Sequence, residues 1–296
     1  MAQRLLQFDM LKGIGILCVL LGHTVIYGYP RELIYGFHMP LFFFCSGVFY
    51  KQRRISETLI KSFKQLLIPY AFFCIILNIS YLMLNLKAGY GLSYSINCIY
   101  ERLSPLDENG YLYKTIWFLP CLFFVRVIYC IIDKMHIYKV FKCGIIVGLY
   151  VIALFIEIPF FIDTAMASLI YYGVGRWFKE TNLFEKKVSW KYAFGVFAIY
   201  CLIIVAFHPK VELKSNIYPW YLIFISMGAI YAIYQFSLRF SVKDNSIVRF
   251  ICRCGNASLS LLGLHIPLWL FVYPVCLALH LPIILFIRVS SFTFLN

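Results

Sequence analysis

Apolar runs of about twenty residues recur along this chain, and about twenty is the number an α-helix needs to cross the hydrocarbon core of a bilayer. Ten segments read this way: residues 8–29, 33–50, 66–86, 115–132, 140–158, 160–178, 192–207, 217–236, 258–280 and 283–296. The second, fourth and seventh are short. The last holds about 14 residues where about 20 would span, so the final helix is expected to be short, re-entrant or incomplete. Hydrophobic residues make up 62% of the 296 and charged residues 14%. No water-soluble fold accommodates that balance, because burial removes only part of the apolar surface a chain exposes. The expected fold is all-α, a polytopic transmembrane helical bundle of about ten helices forming one domain over residues 1–296. Arg4 followed by an apolar run looks like a secretory leader. The run continues to about Tyr29 with no small-residue cleavage site, so it is read as a retained first helix.

A formal net charge of +14 raises the question of nucleic acid, and the position of the cations answers it. They cluster between the apolar runs. On one side of the alternating map lie Arg4, Lys12, Lys51, Arg53, Arg54, Lys61, Lys64, Lys134, Lys139, Lys142, Lys179, Lys186, Lys187, Lys191, Arg239, Lys243, Arg249 and Arg253. On the other lie only Arg31, Lys87, Arg102, Lys114, Lys210 and Lys214. Eighteen against six follows the positive-inside rule, which puts the N-terminus in the cytoplasm and makes the bilayer, not nucleic acid, the partner. The longest external loop, about 87–114, carries Glu101, Asp107 and Glu108, and it either covers an external acceptor or tethers two helices. Most of the eleven cysteines sit in or beside apolar runs, where Cys behaves as a small hydrophobe, and Cys252 and Cys254 fall in a segment read as a cytoplasmic loop. Neither a disulfide framework nor a structural zinc site is expected from them.

Ionisable groups inside a bilayer are costly and ask for an explanation. The first segment carries Asp9, Lys12 and His23. Eleven helical steps separate Lys12 from His23, roughly 20° more than three full turns, so the two share a face about 16 Å apart. Asp9 stands on the same stripe, spaced for an i,i+3 ion pair with Lys12. The second segment brings His38 to a depth similar to that of His23, with Pro40 expected to break the backbone ladder nearby. Two histidines at one depth suit proton transfer. Without nearby carboxylates they fall short of a usual metal shell, and no metal is expected. From the residues alone two classes stay open, an enzyme and a transporter such as a flippase of a lipid-linked sugar. No internal repeat of the kind many transporters carry is visible.

The chain resembles the acyltransferase-3 group of bacterial membrane acyltransferases, which includes sugar O-acetyltransferases. The resemblance is carried by Phe8-Asp9-Met10-Leu11-Lys12-Gly13, by Gly22-His23, and by Phe37-His38-Met39-Pro40-Leu41-Phe42-Phe43 through Ser46-Gly47. It continues in Trp117-Phe118-Leu119-Pro120, in the Asp163 region leading to Gly175, and in Gly255-Asn256-Ala257-Ser258 followed by His265-Ile266-Pro267. It implies a ten-helix protein of the bacterial inner membrane, with cytoplasmic acetyl-CoA or another acyl-CoA as donor and a hydroxyl of an extracytoplasmic glycan or lipid-linked sugar as acceptor. It further implies that His23 is the catalytic histidine, that His38 is a second family histidine, and that Lys12 takes the family's basic position. Lys12 then suits the coenzyme A phosphates, with Arg126 and Arg176 as further candidates. Trp117, Asp163 and Asn256 are candidate donors or acceptor contacts, Trp117 being equally at home as an interfacial ring and Asp163 as a helix cap. His265 is read as structural or as a supporting group.

Overall fold

The computed structural model describes residues 5–23, 28–103, 116–183, 186–209, 211, 213, 219–243 and 245–267, and among them every regular element is helical. The chain forms α1 (Leu6–Gly22), α2 (Tyr29–Tyr35), α3 (His38–Val48) and α4 (Ile55–Ser62). A π-turn at Phe63–Leu67 then leads into α5 (Ile68–Lys87), giving one helical run of 33 residues. There follow α6 (Leu92–Leu103), α7 (Phe118–Lys134), α8 (Lys139–Ala153), α9 (Ile162–Glu180), α10 (Trp190–Phe207), α11 (Trp220–Phe240), α12 (Ser246–Asn256) and α13 (Ser258–Pro267). The α4–α5 run, α10 and α11 are each long and apolar enough to cross a bilayer, and α12 with α13 meet the same standard as a pair bent by 80°. By length and composition, then, the described helices deliver three or four of the ten spans. The exterior is apolar as well. Helix α5 exposes Phe72, Ile75, Ile79 and Met83 on one stripe, and α10 exposes Phe194, Ile199 and Leu202. Surfaces of that kind are stable against lipid rather than water.

Burial centres on α1, α3, α7, α9 and α11, and glycine decides how closely these helices meet. Helix α3 crosses α9 at Gly47 and Gly175. A Cβ on Gly47 would overlap the carbonyl oxygen of Tyr172, and one on Gly175 would overlap that of Phe44. Helix α1 crosses α12 in the same reciprocal way, with Gly13 against the carbonyl of Ile251 and Gly255 against that of Asp9. In lipid, burial of apolar surface no longer draws helices together, so association rests on close packing, and small residues at the crossing allow it.

Several details differ from the sequence reading. The second segment divides: α2 forms around the expected external turn, and α3 begins only at His38. Pro40 therefore lies in the first turn of α3, where backbone N–H groups have no intrahelical partner anyway, and it starts the helix rather than breaking it. The segment bearing Cys252 and Cys254 is the amphipathic helix α12, which buries Val248, Cys252 and Gly255 and exposes Ile247, Arg249, Phe250 and Arg253. Part of the 87–114 loop is α6, and its remainder from 104 lies outside the described residues. So do the tenth segment and the ninth beyond Pro267.

The crossings make a direct prediction. Gly47→Ala or Gly175→Ala should destabilise the protein by about 1–3 kcal/mol through overpacking against backbone that cannot move aside. Gly144→Ala and Gly148→Ala, where a Cβ meets open space, should be neutral or slightly stabilising. Thermal unfolding in detergent of all four variants checks the contrast.

Candidate active site

Between α1, α3, the α4–α5 run, α7 and α13 lies a cavity of about 760 Å³. One end is cationic, with Lys12, Lys51, Arg53, Lys61 and Arg126 in its wall. The rest is mostly apolar, lined by Ile16, Met39, Phe42, Phe118, Leu119 and Leu262. Lys12 pairs with Asp9 (3.2 Å) and lies 5.9 Å from the centroid of the Phe49 ring. Arg126 projects from the middle of α7 and, among the described residues, donates to neutral groups, Ser46 Oγ (3.3 Å) and Gln65 Oε1 (3.2 Å). Among the described residues no carboxylate forms an ion pair with Lys51, Arg53, Lys61 or Arg126. Like charges around one partly enclosed volume repel, and a bound polyanion relieves that repulsion. This end of the cavity is built for several negative charges.

The stripes lining the cavity lead to a second cluster. On α1 the face holding Lys12 and Ile16 continues to His23 at the C-cap, and on α13 the face holding Leu262 continues to His265. The His23 and His265 rings lie 5.1 Å apart between centroids, and the Tyr35 ring stands 6.1 Å from His23 and 4.9 Å from His38. His38 is buried, and its Nδ1–H donates to the Ile34 carbonyl (2.8 Å). A carbonyl can only accept, so this bond leaves Nε2 of the neutral ring with the lone pair. Helix α2, which carries Tyr35, is held where Tyr200 donates to the Leu33 carbonyl (2.6 Å) and Ser226 to that of Gly36 (2.5 Å). Three imidazoles and a phenol thus meet at one end of α1, with the Arg31 guanidinium 4.8 Å from the Tyr35 ring centroid.

The structure brings Lys12 and Arg126 into the cavity wall and gathers His23 with His38. Arg176 does not line the cavity: it donates to Glu180 (2.9 Å) and to the Tyr50 carbonyl (3.4 Å). Trp117 caps α7 and packs on Phe161 (5.8 Å), close to Asp163 at the start of α9. Asp163 is buried in the first turn of α9 and accepts the Thr164 N–H (2.7 Å). Asn256 is exposed at the end of α12, beside the α1 crossing at Asp9 and away from His23. Sequence reasoning missed Tyr35 and the cations Lys51, Arg53 and Lys61 as members of these clusters. The signal for the cations was available, since they flank the segment that follows the second histidine.

Comparison with protein families matches residues 5–295 to a family model described as an acyltransferase domain. Comparison with curated proteins finds no match, and neither does comparison with solved structures.

The cationic end predicts anion binding independently of any reaction. At constant ionic strength, inorganic pyrophosphate should raise the melting temperature of the detergent-solubilised protein. Arg126→Gln should weaken its apparent affinity about tenfold or more, as expected for loss of a charge-assisted hydrogen bond. Melting that ignores pyrophosphate would show that the cations face the cavity without forming a site.

Proposed function

The chain belongs to the acyltransferase-3 family. From that premise we propose that it moves an acetyl or other acyl group from cytoplasmic acyl-CoA to a hydroxyl of an extracytoplasmic or lipid-linked sugar, as in O-acetylation of a cell-surface polysaccharide. One observation carries this reading: Lys12, in the cationic wall of the cavity, shares a face of α1 with His23, which stands beyond the cavity lining in the histidine cluster. The positive-inside pattern supports a cytoplasmic position for the cationic end, on the side where acyl-CoA is found.

Lys12 and Arg126, with Lys51, Arg53 and Lys61, hold the coenzyme A phosphates. The pantetheine arm lies along Ile16, Leu119 and Leu262, which carries the thioester toward His23. The acceptor approaches from the other end, beside Trp117 and Asp163. A neutral imidazole takes a proton well near pH 7. His23 removes the proton of the sugar hydroxyl as its oxygen attacks the thioester carbonyl. The tetrahedral intermediate collapses with cleavage of the C–S bond, and the departing thiolate takes the proton from the His23 imidazolium. The products are the sugar ester and free coenzyme A, with His23 returned to its starting state. His38 holds Tyr35 against His23, while Arg176 stays with Glu180 and Tyr50 in the frame.

The test is transfer of radiolabel from acetyl-CoA to glycan in membranes. His23→Ala should insert normally and lose about 10²- to 10⁴-fold in turnover, the range for removal of a general base. Lys12→Ala should chiefly raise KM for acetyl-CoA, by about tenfold for one lost phosphate contact. Near-normal turnover by His23→Ala would remove it from the chemistry. No label from the wild type, together with protein-dependent movement of a lipid-linked sugar across the bilayer, would favour a flippase instead.

A further inference from the structure

His265 is a partly buried titratable group to which the proposed mechanism gives no task. Its Nδ1–H donates to the Leu262 carbonyl one turn back (2.7 Å), so the lone pair of the neutral ring sits on Nε2. That atom is sealed from solvent and makes no hydrogen bond among the described residues. Its position is fixed from a distance. Gly255 seats α12 on the backbone of α1 at Asp9 and Gly13, and after the 80° bend α13 runs beside α1 in the same direction. Ten residues on from Gly255, His265 arrives at His23, their ring centroids 5.1 Å apart and planes at 45°. Two imidazoles joined by an N–H···N bond of about 2.9 Å have centroids about 5.2 Å apart, so the two rings stand at the separation of a bonded pair.

We propose that His265 is a positioning residue for His23. On the reading that His23 takes the acceptor's proton, Nε2 of His265 accepts the N–H on the far side of the His23 ring. That bond selects which His23 nitrogen faces the substrate and steadies the imidazolium that forms. A buried carboxylate does this in hydrolase triads. A neutral imidazole does it without placing a negative charge in a lipid-embedded site, where an unpaired charge is costly. No proton passes to His265: the one taken from the sugar hydroxyl stays on His23 until the thiolate takes it.

The experiment measures kcat and KM for acetyl-CoA in His265→Leu, His265→Asn and His265→Gln, with His23→Ala alongside. Asn keeps a donor for the Leu262 carbonyl but offers nothing at Nε2, whereas Gln reaches that position with its amide. Leu and Asn should lower kcat about 10- to 100-fold with KM within about twofold, and Gln should recover about tenfold over Asn, as for loss and rescue of a group that orients a catalytic ligand. Equal kcat in Asn and Gln, or wild-type kcat in Leu, overturns the proposal. If Leu does not accumulate, the Asn–Gln pair decides. Turnover retained by His23→Ala removes the base reading, and the positioning role with it. An inactive His23→Ala beside a fully active His265→Asn overturns the positioning role alone.

Discussion

The contact on which the rest of the structure depends is backbone against backbone at the two glycine crossings. At Gly47 and Gly175, and again at Gly13 and Gly255, each helix presses an α-carbon onto a carbonyl of its neighbour. These seats fix more than stability. The α1–α12 crossing sets where α13 starts and hence which of its side chains reaches His23. The α3–α9 crossing holds α3, whose Met39, Phe42 and Ser46 wall the cavity, against the buried face of α9. A methyl group at any of the four positions would shift a wall of the site, because protein interiors are too densely filled to absorb it locally.

Given that frame, electrostatics sorts the functions along α1. Asp9 neutralises Lys12 within one turn, but Arg126 and the three cations after α3 have no such partner among the described residues. Arg126 and Arg176 show how decisive a neighbour is. Both are arginines on helices that line the core, yet Arg176 has Glu180 four residues on and spends its charge there. Arg126 has, among the described residues, the neutral partners Ser46 and Gln65, and keeps its charge for whatever enters the cavity. The low dielectric that makes an unpaired cation costly also makes its attraction to a bound phosphate strong.

Much of this was legible in the sequence, for reasons that are local. The Lys12–His23 stripe follows from helical periodicity, and the apolar helices follow from composition. The i,i+4 spacing of Arg176 and Glu180 was equally readable and would have separated the two arginines. The recurrence of Val248, Cys252 and Gly255 likewise marks one face of a helix in what reads as a loop. What could not be read is the neighbourhood of His265. Its contact with His23 joins positions 242 residues apart and depends on a bend and a glycine seat that carry no signature in the local pattern. Nor does the sequence reveal that Pro40 starts a helix, since that depends on α2 ending at Tyr35 under the hold of Tyr200.

The separation of cations from imidazoles has a chemical consequence of its own. A donor whose phosphates must stay at a wet, cationic surface can deliver its thioester to a distant base only through a long neutral arm, and the apolar stretch of the cavity has the character such an arm requires. The same arrangement sets Lys12 back from His23, where its field would oppose formation of an imidazolium. Placing Lys12 and His23 on one helix roughly 16 Å apart therefore meets both needs with a single rigid element.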